Sequence, residues 1–205
     1  MAGPIERGIY LASRSPRRRE LLAQIGVRYT LLLFRSRPEA REEVNEDPLP
    51  NEAPAAYVER VARAKAESGW KRVLQRSLPP APVLAADTTV ALGNRIFGKP
   101  ASRDEAAEML AALSDTRHEV LTAVALQQGE WLESALSVSE VTFRKIADDE
   151  IRAYVASGEC DDKAGAYAIQ GRAARFIVEL RGSYSGVMGL PLYETGQLLD
   201  HVPRR

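Results

Sequence analysis

The chain has 205 residues, 45% of them hydrophobic and 27% charged, a balance that fits a folded globular protein and excludes wholesale disorder. Its 28 Lys plus Arg against 28 Asp plus Glu give zero formal net charge, which excludes a bulk polyanion binder, so any basic site must be local. One cysteine, Cys160, and two histidines, His118 and His201, rule out an intrachain disulfide and nearly exclude a structural zinc site. No apolar run approaches membrane-spanning length and the first residues lack the apolar core of a signal peptide, so a cytoplasmic protein is expected.

In chain order, Ile9 to Ala12 reads as a strand. It runs into Ser15-Pro16, where Ser15 can cap a helix whose first position is Pro16 and whose apolar face is Leu21, Leu22 and Ile25. Tyr29 to Phe34 reads as a second strand, and residues 35 to 52, rich in charge and proline, as an exposed loop. A helix is expected from about Ala53 to Trp70, with Val58, Val61 and Ala62 on its buried stripe. Val83 to Leu92 reads as a buried strand turning at Gly93-Asn94. Ser102 to Glu105 matches a capping box ahead of a helix carrying Ala106, Met109, Leu110 and Leu113. Val120 to Leu126 and Trp131 to Phe143 are strands able to form an antiparallel hairpin. A short helix at Asp148 to Ala156, a small-residue segment at Lys163 to Gly171, a strand at Arg175 to Leu180 and a helix after Pro191 follow. The alternation of strands and helices, without an internal repeat, predicts a mixed α/β fold.

Four positions conflict with their local pattern, and such conflicts gather at functional sites. Asp87 lies within an apolar strand, on the face carrying Val83 and Ala85; either it is buried for a purpose or the strand ends early. Lys65 falls on the apolar stripe of its helix, either to meet a partner or to send its ammonium outward past the core. Arg17 and Arg18 stand in the first turn of a helix, where the macrodipole disfavours cations unless an anion binds there. Lys99 sits on a Gly-Lys-Pro turn. Four cations, with Asp87 and Glu46 as carboxylates, make the mixture that a triphosphate with a divalent metal requires. No P-loop and no Gly-x-Gly-x-x-Gly is present.

The stretches Leu11-Ala-Ser-Arg-Ser-Pro-Arg-Arg-Arg-Glu-Leu-Leu22, Tyr57-Val-Glu-Arg-Val-Ala-Arg-Ala-Lys-Ala66, Ala86-Asp-Thr88, Gly98-Lys-Pro100, Asp162 to Gly171 and Gly182 to Pro191 resemble, in order and over nearly the whole chain, the motifs of the Maf family of nucleoside triphosphate pyrophosphatases. The resemblance implies one Maf-like domain over residues 1–205: an α/β fold with a long mixed sheet and flanking helices in two lobes around a deep cleft, like inosine triphosphate pyrophosphatases. It implies hydrolysis of the α–β phosphoanhydride with Mg²⁺ or Mn²⁺. Asp87 matches the proposed general base, Ser15, Arg17, Arg18, Lys65 and Lys99 the phosphate-binding set, and Glu46, with Asp87, the metal-binding carboxylates. A homodimer is implied, with no membrane or nucleic-acid polymer as partner. Where the family often has Asp-Glu this chain has Asn45-Glu46, and its Ser-Gly before the histidine reads Ser114-Asp115.

Arg17, Thr88 and Gln170 match the branch of the family acting on dTTP and UTP; the branch preferring 7-methyl-GTP has Trp, Gln and Glu there. An amide such as Gln170 can both accept from the N3–H of a pyrimidine imide and donate to a flanking carbonyl, whereas a glutamate only accepts. The alternative is that Gln170 merely caps the turn at Gly171. A rival function is a nucleotide-sensing regulator of cell division that binds a triphosphate without hydrolysing it; that role needs the cations but not Asp87.

Overall fold

The computed structural model describes residues 8–32 and 44–203. The first strand β1 (Ile9–Leu11) is wholly buried, and its neighbour β2 (Tyr29–Leu31) runs parallel to it after the helix α1 (Pro16–Gln24). The expected strand at 29–34 is therefore shorter, and Leu33, Phe34 and residues 35–43 lie outside the described residues. Helix α2 (Pro54–Gln75) extends five residues beyond the expected Trp70 because Val73 carries its apolar stripe another turn. Strand β3 (Val83–Leu92) is followed by β4 (Arg95–Phe97), then α3 (Arg103–Leu113) and the long antiparallel hairpin β5 (Arg117–Gln128) and β6 (Trp131–Phe143). The chain closes with α4 (Asp148–Ala156), 3₁₀ turns at Ala164–Ala166 and Arg172–Phe176, β7 (Ile177–Arg181), α5 (Tyr184–Met188) and α6 (Leu192–His201).

Seven strands form one mixed sheet in the order β2-β1-β3-β5-β6-β7, with β4 also on β3. The fold is thus α/β with flanking helices, as expected. On one face α2 lays Val58, Val61, Ala62 and Ala66 against Val83, Ala85, Ala91, Ala123 and Ala125. The small strand residues let the helix approach closely: a Cβ added at Gly69 would stand 2.7 Å from a Val83 methyl. On the other face Leu21 and Leu22 of α1 and Leu198 and Leu199 of α6 cover Leu11, Leu84, Ala86, Val124 and Leu126. Further along, α3, α4 and the 164–166 turn enclose Val90, Phe97, Val120, Phe143 and Phe176.

Strand β3 positions the site. On one edge it pairs with β5 from Val83 to Ala91. On the other edge it pairs with β1 only at Val83 and Leu84 and with β4 only from Val90 to Leu92. Between Leu84 and Val90 that edge has no strand partner among the described residues, so the sheet forks there. Asp87 and Thr88 stand at the fork, just past the carboxyl end of β1, where open α/β sheets place their ligands.

Two local expectations are corrected. Ser15 occupies the N-cap position of α1, but its side chain makes no cap bond; its own N–H donates to Ser13 Oγ at 3.2 Å instead. Ser102 does accept from the Glu105 N–H at 3.1 Å, while the Glu105 carboxylate takes the Ala101 N–H at 2.6 Å, one residue before the expected one. Strands β4 and helix α5, three and five residues long, were too short to register as periodic patterns. The strand expected at 175–180 starts at Ile177 because a 3₁₀ turn takes up the residues before it.

Candidate active site

Asp87 is 8% exposed, and β3 runs through it without ending. It lies on the face covered by α2, where Lys65 reaches it: Lys65 Nζ is 2.8 Å from Asp87 Oδ1. The same ammonium is 2.9 Å from Glu46 Oε2, so one cation holds two carboxylates that are far apart in sequence. This answers the question of Lys65: its side chain turns into the site rather than outward to solvent. Glu46 is fixed from behind, since its carbonyl accepts the Tyr57 hydroxyl at 2.9 Å. Burial, reinforced by the charges of Asp87 and Glu46, raises the Tyr57 phenol to about 12, so it stays protonated and keeps donating. Asn45, where the family often has aspartate, uses its side chain locally, accepting the Asp47 N–H at 2.9 Å.

Thr88, the next residue on β3, points to the opposite face and meets Arg18. Because the fork leaves this edge open, neighbouring residues on the two faces can serve one site. The Arg18 fork is spread over three partners: Nε donates to Gly189 O at 2.6 Å, a terminal nitrogen to Ser13 Oγ at 3.3 Å, and the other to Thr88 Oγ1 at 3.2 Å. Of its five N–H donors, two make no bond among the described residues. Burial lowers the Arg18 pKa while the Asp87 charge opposes that shift, so the guanidinium stays charged with a carboxylate close by. Arg17 Nε donates to Met188 O at 3.2 Å, and burial lowers its pKa too. Both arginines are therefore docked on the end of α5.

Lys99 and Gln170 stand apart from this network. Both are exposed, and neither makes a side-chain hydrogen bond or ion pair among the described residues. Gln170 does not cap the turn at Gly171, whose N–H goes to Ala168 O at 3.0 Å. Their two segments are joined by one backbone bond, Gly165 N to Gly98 O at 3.1 Å. The participants missed in the sequence are Ser13, Tyr57 and Thr122, the last of which lies 3.0 Å from Thr88 through their hydroxyls. Only Tyr57 carried a signal, an aromatic at the head of the helix that delivers Lys65.

The donors suit a hard divalent cation. Among the described residues no group of three or more His, Cys, Asp or Glu converges, so no all-protein cage exists. Two carboxylates converge, and the ammonium between them marks where positive charge is favoured. Magnesium commonly takes one or two carboxylates and completes its shell with water and phosphate oxygens.

The Maf-like protein family model matches residues 8–202. A dTTP/UTP pyrophosphatase of Aromatoleum aromaticum is 58% identical over 198 residues, covering 96% of this chain and 96% of that protein. A dTTP/UTP pyrophosphatase of Nitrosomonas europaea is 56% identical, covering 98% of each. The structure of the Staphylococcus aureus Ham1 protein aligns with a TM-score of 0.41 at 17% identity, over 69% of this chain and 72% of that one. Among the described residues no helix is long and apolar enough to cross a membrane. The family match reaches from β1 past α6 and so takes in both faces of the forked sheet: this chain belongs to the Maf-like protein family.

Proposed function

We propose that this chain is a nucleoside triphosphate pyrophosphatase that hydrolyses dTTP and UTP to the monophosphate and pyrophosphate. The observation that carries the reading is the Lys65 ammonium held between Asp87 and Glu46 on β3's open edge, with the charged Arg18 beside them. The substrate class comes from the relatives, which are named for dTTP and UTP over nearly the full chain.

In this reading a water oxygen attacks the α-phosphorus, the bond from that phosphorus to the α–β bridging oxygen breaks, and pyrophosphate leaves with the electron pair. Asp87 takes the water's proton through Oδ2, since Oδ1 is engaged by Lys65. Arg17, Arg18, Lys65 and Lys99, with the Ser15 hydroxyl, bind the phosphate oxygens and offset the charge gathering on the leaving group. Glu46 would hold Mg²⁺ or Mn²⁺, joined by Asp87 through Oδ1 once Lys65 turns to the phosphates, and such an ion would supply Lewis-acid polarisation of the phosphates. Arg17, Thr88 and Gln170 select the base. The chain acting as one Maf-like domain, as a homodimer and in the cytoplasm belongs to the same reading; the family match over residues 8–202 supports the first, the family resemblance the second, and the single cysteine, which suits a reducing compartment, the third.

The test is pyrophosphate release from dTTP, UTP, CTP, GTP and 7-methyl-GTP, with and without a chelator, on wild type and Gln170→Glu. The expected result is kcat/KM for dTTP and UTP well ahead of the others, by up to roughly 10⁴-fold where unpaired groups are buried. Activity is lost in the chelator, and the UTP rate falls in Gln170→Glu. A preference for 7-methyl-GTP, or an unchanged UTP rate in the variant, overturns the base assignment. Full activity in the chelator overturns the metal assignment.

A further inference from the structure

Gln170 is exposed, so the place of its amide is set by the backbone that carries it. That backbone is a tight turn: the Gly171 N–H donates to Ala168 O at 3.0 Å, which puts Gln170 third of four residues. Ala168 and Ile169 are buried and tie the turn to the body of the protein. One pair of side chains meets both ends of the turn. At its start the Ala168 N–H donates to the Tyr154 hydroxyl at 3.2 Å. At its end the Glu159 carboxylate lies against Gly171, where an added Cβ would stand 2.1 Å from Oε1. The pair is itself joined, since the Tyr154 hydroxyl donates to Glu159 Oε1 at 3.1 Å.

Tyr154 is buried on α4, its ring edge-on to Phe176. Burial, reinforced by the Glu159 charge, pushes its phenol well above the usual tyrosine range, so the hydroxyl keeps its one proton. That proton goes to Glu159, while the oxygen accepts from Ala168. Glu159 follows the helix across Gly158, whose φ of +74° lets the chain turn back. The backbone at Gly171 is extended, with φ −108°, so the carboxylate and not the backbone excludes a side chain there. A bare Cα at 171 leaves Glu159 the room to reach Tyr154.

We propose that Tyr154 and Glu159 are positioning residues for base selection: the pair grips both ends of the turn that carries Gln170 and fixes where its amide stands. A binding group must be held to about 0.5 Å by the residues that support it. Gln170 receives that precision from the turn, and the turn receives it from the pair. The hydrogen bonds of the pair go to the turn and not to the phosphate-binding side chains.

This inference rests on the pyrophosphatase reading and on Gln170 meeting the base, and wild type checks each by a separate measurement. Pyrophosphate release from UTP tests the activity, and the UTP-to-CTP ratio of kcat/KM tests the preference. Should wild type not turn over, the ratio of dissociation constants from calorimetry replaces that of kcat/KM, so the two failures stay distinct. A wild type without preference for UTP overturns the Gln170 assignment and this proposal with it. Tyr154→Phe keeps the ring and removes the hydroxyl; the ratio is expected to fall about tenfold, the scale of one lost hydrogen bond. Gly171→Ala drives the Glu159 carboxylate off the turn and is expected to give a fall of the same size. It also stands in for Tyr154→Phe if that variant does not fold. Glu159→Gln can still accept from Tyr154 and is expected to keep the wild-type ratio within about twofold, whereas Glu159→Ala is expected to lose it. Affinity for pyrophosphate, a ligand without a base, is expected to stay within about twofold of wild type in every variant. An unchanged ratio in Tyr154→Phe or Gly171→Ala overturns the proposal. So does a glutamine variant that fails as the alanine variant does, or a pyrophosphate affinity that falls in step with the ratio.

Discussion

Replacing Asp87 by asparagine separates the charge of that residue from its shape. The amide can still accept from Lys65, so the strand and α2 stay in place, but it cannot take a proton from water. Turnover of UTP is expected to fall by roughly 10²–10⁴-fold, the range for a positioned proton acceptor, with the fold intact by circular dichroism. Near-normal turnover would move that role elsewhere. Asp87 and Lys65 could be picked out in the sequence because a charge inside an apolar pattern must find a partner, and here each found the other. Ser13 and Thr122 could not, since hydroxyl residues are ordinary in strands and turns and only the folded register shows Thr122 facing Thr88. Lys99 and Gln170 are a third case. No contact in the described protein explains either residue: Gln170 was marked by the family pattern and Lys99 by its place on a Gly-Lys-Pro turn.

At the scale of elements, the long periodic pieces were legible and the short connecting ones were not. Strand β6 and helix α4 fall on their expected residues, the helix because an acidic first turn marks its start. Helix α5, with five residues and a glycine, has no such signature, yet both arginines dock on its end. The small-residue segment at 163–171 was visible as a composition but its purpose was not. At Gly165 the backbone has φ +66°, and an added Cβ would lie 2.7 Å from a Val90 methyl on β3. Glycine there lets the segment lie against the strand and bond Gly98, the residue before Lys99. Gly165→Ala combines a strained backbone with a clash and is expected to cost about 1–3 kcal/mol in urea unfolding. It should also raise KM for UTP, because the Lys99 and Gln170 segments lose their common anchor. A variant with wild-type stability and KM would show that the segment can shift without consequence.

For the molecule as a whole, acid stability depends on a buried histidine. His118 on β5 is 2% exposed, meets the Tyr167 hydroxyl through Nε2 at 2.9 Å, and packs edge-on against Phe143. Its other ring nitrogen, Nδ1, is buried with no partner among the described residues. Protonation would place a charge there with nothing to receive it, and burial pushes the imidazole down to about 4. The sign follows from the unfolded value near 6.5: between those two pH values the unfolded chain binds the proton and the folded one does not. Stability from His118 is therefore complete above pH 6.5 and is lost as the pH falls toward 4. Roughly 2–3 kcal/mol should disappear between pH 7.5 and 4.5. Arginine partners hold the Glu52 and Glu150 carboxyls down to about 2, so their contribution is lost mainly below pH 4.5 and leaves this window clear. Urea unfolding of wild type and His118→Phe at pH 7.5, 6.5, 5.5 and 4.5 separates the residue from the background. The phenylalanine variant keeps a ring against Phe143 but leaves the Tyr167 hydroxyl without its histidine, so its stability at pH 7.5 is not the relevant quantity. The readout is the slope: wild type should lose roughly 2–3 kcal/mol more than the variant across the window. Parallel slopes would mean that the folded protein accommodates the imidazolium after all, and that the orphaned nitrogen finds a partner on protonation.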